Sequence, residues 1–178
     1  MEKKANSTIK FLAIILCLAG LVMTANAQKR KPAPKKTTPA PIVNTNAADI
    51  RAGADKVSTQ IKNVSKFIFI LGGVAKDIEA IDADIRAKKI TRQASIDQNT
   101  QDKQSVVKAI QNLRAGLIAL ETEFRTKPGL KIYAVRVEGV SNLVADAENQ
   151  AGGGQLTESG KTLLLVIERL SDALAALP

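Results

Sequence analysis

The 178-residue chain contains no histidine, no tryptophan and a single cysteine, Cys17. Without histidine it lacks the side chain that most often transfers protons near neutral pH and binds transition metals. One cysteine excludes an intrachain disulfide, a cysteine-based zinc site and a CxxC redox pair. The aromatic residues, four Phe and one Tyr, leave little for stacking against bases or sugars. We therefore predict no catalytic residue, no metal ligand and no cofactor.

The first 27 residues have the pattern of a bacterial secretory signal peptide. Its apolar core, residues 11–25, follows three lysines and ends in the A-x-A cleavage sequence of residues 25–27. The core is shorter than the roughly 20 apolar residues that span a bilayer. We predict cleavage between Ala27 and Gln28 and an extracytoplasmic location, periplasmic or secreted. The alternative is an uncleaved anchor, which the cations at 29–31 favour because positive charge there opposes translocation.

Residues 28–47 are predicted to form a disordered linker, because four prolines disfavour both helix and central strand. This linker carries +5 and residues 1–27 carry +2 of the formal net charge of +9, so only +2 falls on residues 48–178. No basic face is left on the fold for specific nucleic-acid binding. The linker cations are candidates for contact with an anionic membrane or wall polymer. They are Lys29, Arg30, Lys31, Lys35 and Lys36.

From Ile50 to Ile78, apolar residues recur at alternating steps of four and three, the spacing of a bundle or coiled-coil helix. In the same register, the residues at the core positions are mostly polar from 82 to 103 and apolar again from Val106 to Phe124. Two arrangements fit this pattern. One is a single helix of about 75 residues, and the other is an antiparallel hairpin that turns within residues 86–104. We predict the hairpin.

The hairpin prediction rests on helix-end signals. Basic residues at 86–89 suit the C-terminal end of a helix, where the macrodipole favours cations. Thr91 or Ser95 is predicted to cap the next helix. If the turn centres just before Thr91, then Asp82 on the first helix faces Asn99 on the second.

Residues 67–75 are apolar on every face of a helix, which predicts that other helices cover this run on several sides. The pair Gly72-Gly73 within the run predicts either a close approach of the covering helices or a kink. A buried strand is the alternative for the same run, since Phe and Ile favour sheets.

The C-terminal third is predicted to supply this covering layer as two shorter helices. Pro128-Gly129 ends the second helix, glycines 152–154 separate the third from the fourth, and Thr157 is expected to cap the fourth. The predicted fold is all-α: an up-and-down helical bundle of two long antiparallel heptad helices and a shorter C-terminal pair. The predicted helices span about 49–89, 92–126, 130–150 and 156–177.

Several short motifs resemble functional sites but depart from the required pattern. Residues 154–162 approach a phosphate-binding loop, yet Gln155 stands where the motif needs glycine and no predicted strand leads into it. Glu121 and Glu123 are two residues apart and so face different directions on a helix. Lys103 at a core position is interpreted as a paired or snorkelling lysine. Four acids lie close together near the C-terminal end of the predicted first helix: Asp77, Glu79, Asp82 and Asp84. We interpret them as solvated charges, apart from Asp82, which lies on the seam.

These observations predict an exported, non-enzymatic helical-bundle protein that binds a protein or an envelope component, or has a structural role. One alternative is a membrane-tethered coiled-coil spacer that keeps its N-terminal segment. Another is a carrier of an apolar small molecule, held between the helix pairs near residues 67–74. The heptad pattern leaves open whether the seam closes within one chain or between two.

Overall fold

A computed structural model describes residues 45–178 of the chain, with side chains from residue 46 onward. The predicted signal peptide and all but the last three residues of the predicted linker lie outside this range. The described part is helical and contains no strand. Its helices are α1 (Thr45–Arg86), α2 (Gln93–Thr126), the single turn α3 (Ala134–Val137), α4 (Val140–Gly152) and α5 (Leu156–Ala175).

The four longer helices form a ring in which each packs on two neighbours. α1 lies between α2 and α5, and α4 also lies between α2 and α5. At the end that we call the turn end, Gly154 before α5 lies beside Asp82 near the end of α1. At the opposite end, the entry end, Gly129 after α2 lies against Asn46 at the start of α1. Neighbouring helices are therefore antiparallel, as in an up-and-down bundle.

The heptad positions supply most of the core. Each fully buried aliphatic or aromatic side chain contributes about 1.5–3 kcal/mol relative to an exposed one. Ile50, Ile61, Ile68 and Leu113 lie half-buried at the margin. The buried heptad residues of α1 and α2 are Val57, Val64, Leu71, Ala75, Ile78, Val106, Ile110, Leu117, Leu120 and Phe124.

Residues 87–92 turn between α1 and α2, so the hairpin prediction is confirmed and the single long helix is excluded. The turn needs no glycine, because Lys88 itself adopts a left-handed conformation with φ of 57°. The predicted side-chain caps are wrong. Arg92 is the N-cap residue of α2 without a side-chain hydrogen bond, and Ser95 lies inside the helix, with its backbone N–H donating to the Arg92 carbonyl.

The prediction of a continuous third helix over residues 130–150 is also wrong, because the helix is interrupted at Gly139. That glycine has φ of +82°, which glycine adopts without a steric penalty. Before the break lie a 3₁₀ turn, Lys131–Tyr133, and α3; after it α4 begins. The break frees the backbone N–H of Ser141 from the preceding helical turn, and this N–H donates to a carboxylate oxygen of Glu121.

The apolar run at residues 67–75 is covered on its inner side only. Phe67 and Leu71 are buried, and Leu71 lies 3.5 Å from a Cβ built on Gly160 of α5. Phe69, however, is 85% exposed. The predicted cover on several sides is therefore wrong, because a four-helix ring leaves each helix an outward face. The close approach predicted at the glycine pair is wrong too, since a Cβ built at Gly72 or Gly73 would have no neighbour within 4 Å; α1 continues through both glycines.

Candidate functional site

The segment that approaches a phosphate-binding loop connects α4 to α5. Its Lys161 pairs with Glu158 one turn earlier in α5, at 2.7 Å. The Thr162 hydroxyl donates to the side-chain oxygen of Gln150 in α4, at 2.8 Å. In such a loop the lysine would bind phosphate and the threonine hydroxyl its magnesium ion, but here both groups are engaged within the helix pair.

The four acids near the end of α1 do not converge. Asp77 is exposed, Asp84 pairs with Lys89 at 3.2 Å, and Glu79 and Asp82 turn toward different helices. Among the described residues, no group of three or more potential metal ligands is close enough to hold an ion. Glu79, Asp82 and Asp84 therefore act as separate structural contacts.

A partly buried polar cluster at the turn end joins α1 to α2. One Asp82 carboxylate oxygen accepts from the Asn99 amide at 2.6 Å and from the Lys103 ammonium at 2.8 Å. The other accepts from Lys103 at 2.9 Å. The structure thus confirms the predicted facing of Asp82 and Asn99 and the paired state of Lys103. Only 2% of Asn99 is exposed, although an amide at a seam position gives little sign of such burial in sequence.

Asp102 is a buried acid on α2, and its surroundings favour the charged form less than those of Asp82 do. Burial raises the pKa of the Asp102 carboxyl above its ordinary value of 3.8, and a hydrogen bond from Gln98 opposes the rise. The Gln98 amide donates to this carboxylate at 2.9 Å. The charged form of Asp102 therefore carries a desolvation penalty in the folded protein.

Replacing Asp102 by asparagine is expected to stabilise the protein at pH 7 by up to about 1 kcal/mol. The amide keeps an acceptor for Gln98 and has no charge to desolvate. Because folding raises the pKa of Asp102, the penalty is fully present above the raised pKa and vanishes below 3.8. Urea unfolding at pH 7 and at lower pH checks this, since the gain should shrink as the pH falls.

Asp97→Asn is the matched control for this prediction. Asp97 also accepts a hydrogen bond from a glutamine four residues earlier, Gln93, at 2.8 Å, but it is exposed. Its replacement is expected to leave stability nearly unchanged. Equal effects of the two substitutions at pH 7 would mean that burial of Asp102 is not the cause.

Two glutamates cap helices other than their own. The Glu79 carboxylate of α1 accepts from the backbone N–H of Thr157 at 2.8 Å and from its hydroxyl at 2.7 Å. The Glu121 carboxylate of α2 accepts from both groups of Ser141, each at 2.9 Å. Thr157 and Ser141 are the second residues of α5 and α4, where backbone N–H groups lack helical partners. Thr157 is therefore not the N-cap that the sequence predicted; Gln155 is, and it makes no side-chain cap hydrogen bond.

Glu123 faces away from Glu121, as the spacing predicts. It forms ion pairs with Lys56 of α1 and with Lys127 one turn later. Burial by itself raises the pKa of Glu123, but the hydrogen bonds and charges of Lys127 and Lys56 outweigh it and hold the pKa below 4.5. Glu121 joins α2 to α4 and Glu123 joins α2 to α1, so the two carboxylates do not form a catalytic pair.

An open groove of about 450 Å³ lies between α2 and the C-terminal end of α4. Two of its polar groups have partners already, since Lys103 binds Asp82 and Gln111 donates to Glu148. Lys108 is the other cation in its wall. The lining residues are Thr100, Lys103, Gln104, Val107, Lys108, Gln111, Ala151 and Gly152.

The surface carries several large apolar side chains that sequence periodicity did not single out. Leu164 and Leu165 are adjacent on α5, and Ile132 and Val135 lie one turn apart before α4. The exposed large apolar residues of the described part are Phe69, Ile118, Ile132, Val135, Leu164 and Leu165. Contiguous exposed apolar patches are typical of contact surfaces when they are large, whereas scattered single apolar residues are common on any protein.

Within residues 45–178, no helix combines the length and apolarity needed to cross a membrane. No protein-family model matches the chain, and neither the curated proteins nor the solved structures include one with significant similarity to it. A functional assignment therefore depends on the residues of this chain alone.

Proposed function

We propose that this chain is an exported helical bundle that acts by binding a protein or a component of the cell envelope, and that it does not catalyse a reaction. The observation that carries the proposal is a contrast between interior and surface. Inside, the acids of the turn end hold helices together through contacts such as Glu79 to Thr157 and Asp82 to Lys103. Outside, apolar side chains stand in adjacent pairs, at Ile132 and Val135 and at Leu164 and Leu165.

The sequence before the bundle supports an envelope location. Residues 1–27 have the charge, core length and cleavage sequence of an export signal. Five cations and no acid follow in residues 28–47, a composition that favours attraction to anionic lipids or wall polymers. In this proposal the basic segment supplies electrostatic attraction and the bundle surface supplies the specific contact.

Expression of the full chain in bacteria, followed by cell fractionation and N-terminal sequencing, tests this proposal. We expect a mature chain that starts at Gln28, lies outside the cytoplasm and sediments with isolated cell envelopes. Salt should weaken the sedimentation, because it screens exposed charges. A full-length cytoplasmic chain that does not bind envelopes would contradict the proposal, and a membrane fraction that retains Met1–Ala27 would favour the tethered spacer.

A matched pair of charge variants identifies the attracting segment. Changing Lys29, Arg30 and Lys31 to glutamine should weaken envelope binding. The same change at the exposed Lys62, Lys66 and Lys76 of α1 removes equal charge from the bundle and should have a smaller effect. Equal losses of envelope binding in the two variants would indicate that the net charge of the protein, and not the position of its cations, causes the attraction.

A further inference from the structure

The segment between α2 and α4 presents two aliphatic side chains to solvent from a firmly held backbone. Leu130 and Val137 at its two ends are buried, and Tyr133 and Ala134 in the middle pack against the core. Between them Ile132 is 76% exposed and Val135 is 64% exposed. Because these two residues are three apart in consecutive helical turns, they lie on the same side of the segment.

Two cations flank this pair. Lys131 precedes Ile132, Arg136 follows Val135, and both are exposed. In the described part of the chain, ion pairs are formed by other cations, which are Lys56, Lys89, Lys103, Arg114, Arg125, Lys127 and Lys161. The charges of Lys131 and Arg136 are thus available to an outside partner.

The same segment lies at the entry end, where the N-terminal part of the chain joins the bundle. The Cδ2 atom of Leu130 lies 2.6 Å from a Cβ built on Gly53 of α1, and Gly129 lies against Asn46. The basic cluster of residues 29–36 precedes this end in sequence. The chain from Lys36 to Thr45 has nine peptide steps, so it spans at most about 30 Å.

We infer that residues 131–136, which we call the entry-end ridge, contact the surface of an anionic lipid bilayer. Ile132 and Val135 enter the boundary between headgroups and acyl chains, and Lys131 and Arg136 bind lipid phosphates beside them. The cations of residues 29–36, which precede this end in sequence, add to the attraction. This inference rests on the proposed function and names the envelope component as the membrane.

The arrangement of charge favours a bilayer over a second copy of the chain. In a two-fold interface the same patch meets itself, so the ridge would bring four like charges together around a small apolar contact. An anionic surface instead complements every charged residue of the ridge. It also accepts a shallow contact of two aliphatic side chains without a shaped pocket.

Sedimentation of the exported, purified protein with lipid vesicles tests the inference. Vesicles of phosphatidylcholine alone are compared with vesicles that also contain phosphatidylglycerol. We expect binding to the anionic vesicles only. Ile132→Ser/Val135→Ser should weaken it on the order of tenfold through lost apolar burial, and Lys131→Gln/Arg136→Gln should weaken it roughly fivefold for each charge removed.

Phe69→Ser is the control, because Phe69 is even more exposed but lies on the outward face of α1. It should bind anionic vesicles as the unsubstituted protein does, and circular dichroism should give the same fold for all variants. The inference is overturned if Phe69→Ser weakens binding as much as the double serine variant, or if the double serine variant binds normally. It is also overturned if light scattering detects a dimer that the double serine variant abolishes.

The outcomes separate the inference from the proposed function. If isolated envelopes retain the protein but vesicle binding does not depend on the ridge, only the inference fails. If neither envelopes nor vesicles retain it and the chain stays full-length in the cytoplasm, the proposed function fails as well.

Discussion

Replacing Glu121 by alanine is expected to lower the free energy of unfolding by about 3 kcal/mol. Glu121 is only 7% exposed, and its carboxylate accepts hydrogen bonds from both the backbone N–H and the hydroxyl of Ser141. Its removal leaves a helix-end N–H and a hydroxyl without partners near the core. Hydrogen bonds to a charged group each contribute about 1.5–3 kcal/mol, so the loss exceeds that of an ordinary surface contact. Urea unfolding at neutral pH measures it.

A double-mutant cycle with Ser141→Ala isolates the contact. Ser141→Ala removes only the hydroxyl, so it should cost less than Glu121→Ala, and the two effects should not add. Glu138→Ala is the matched control, because Arg125 lies 4.0 Å from the Glu121 carboxylate and 3.5 Å from that of Glu138, but Glu138 is exposed. It should change stability by less than about 0.5 kcal/mol. A loss at Glu121 no larger than the loss at Glu138 would mean that the carboxylate does not hold the start of α4.

Replacing Asp82 by alanine is expected to cost about 2–4 kcal/mol. The substitution leaves the ammonium of Lys103 and the amide of Asn99 without their shared acceptor at the turn end. Adding Lys103→Met should recover much of the loss, because an apolar side chain needs no counter-charge. Thermal and urea unfolding of the single and double variants measure both effects.

Asp84→Ala controls for loss of an acid near the end of α1. Asp84 pairs with Lys89, but both side chains are largely exposed, with 46% and 70% of their surfaces accessible. An exposed pair contributes at most about 1 kcal/mol. Equal effects at Asp82 and Asp84 would contradict the interpretation that the partly buried Asp82 cluster holds α1 and α2 together.

The sequence predicted the parts of the fold that depend on local periodicity. The heptad from Ile50 to Ile78 identified which face of α1 is buried, and the facing of Asp82 with Asn99 followed from the position of the turn. These features were predictable because a helix repeats its inward positions at fixed spacing, and a short turn sets the register of its two helices.

The contacts that depend on distant residues were not predictable. Glu79 and Thr157 are 78 residues apart, and no local sequence pattern around either residue predicts their contact. Phe69 was predicted to be covered, because apolar residues surround it in sequence, yet the number of helices around α1 decides its exposure. The break at Gly139 was missed because apolar spacing continues across it from Val137 to Val144. Tertiary packing, not local preference, determines these features.

The distance between α1 and α2 within one chain tests the central claim, that this chain folds back on itself as a bundle. Spin labels at the exposed positions Lys62 and Ile118, measured with excess unlabelled protein, report on single chains. Adjacent helices lie about 8–10 Å apart, so the labels should be about 20–30 Å apart once their own length is added. A continuous helix would separate them by roughly 84 Å, and such a distance would contradict the account.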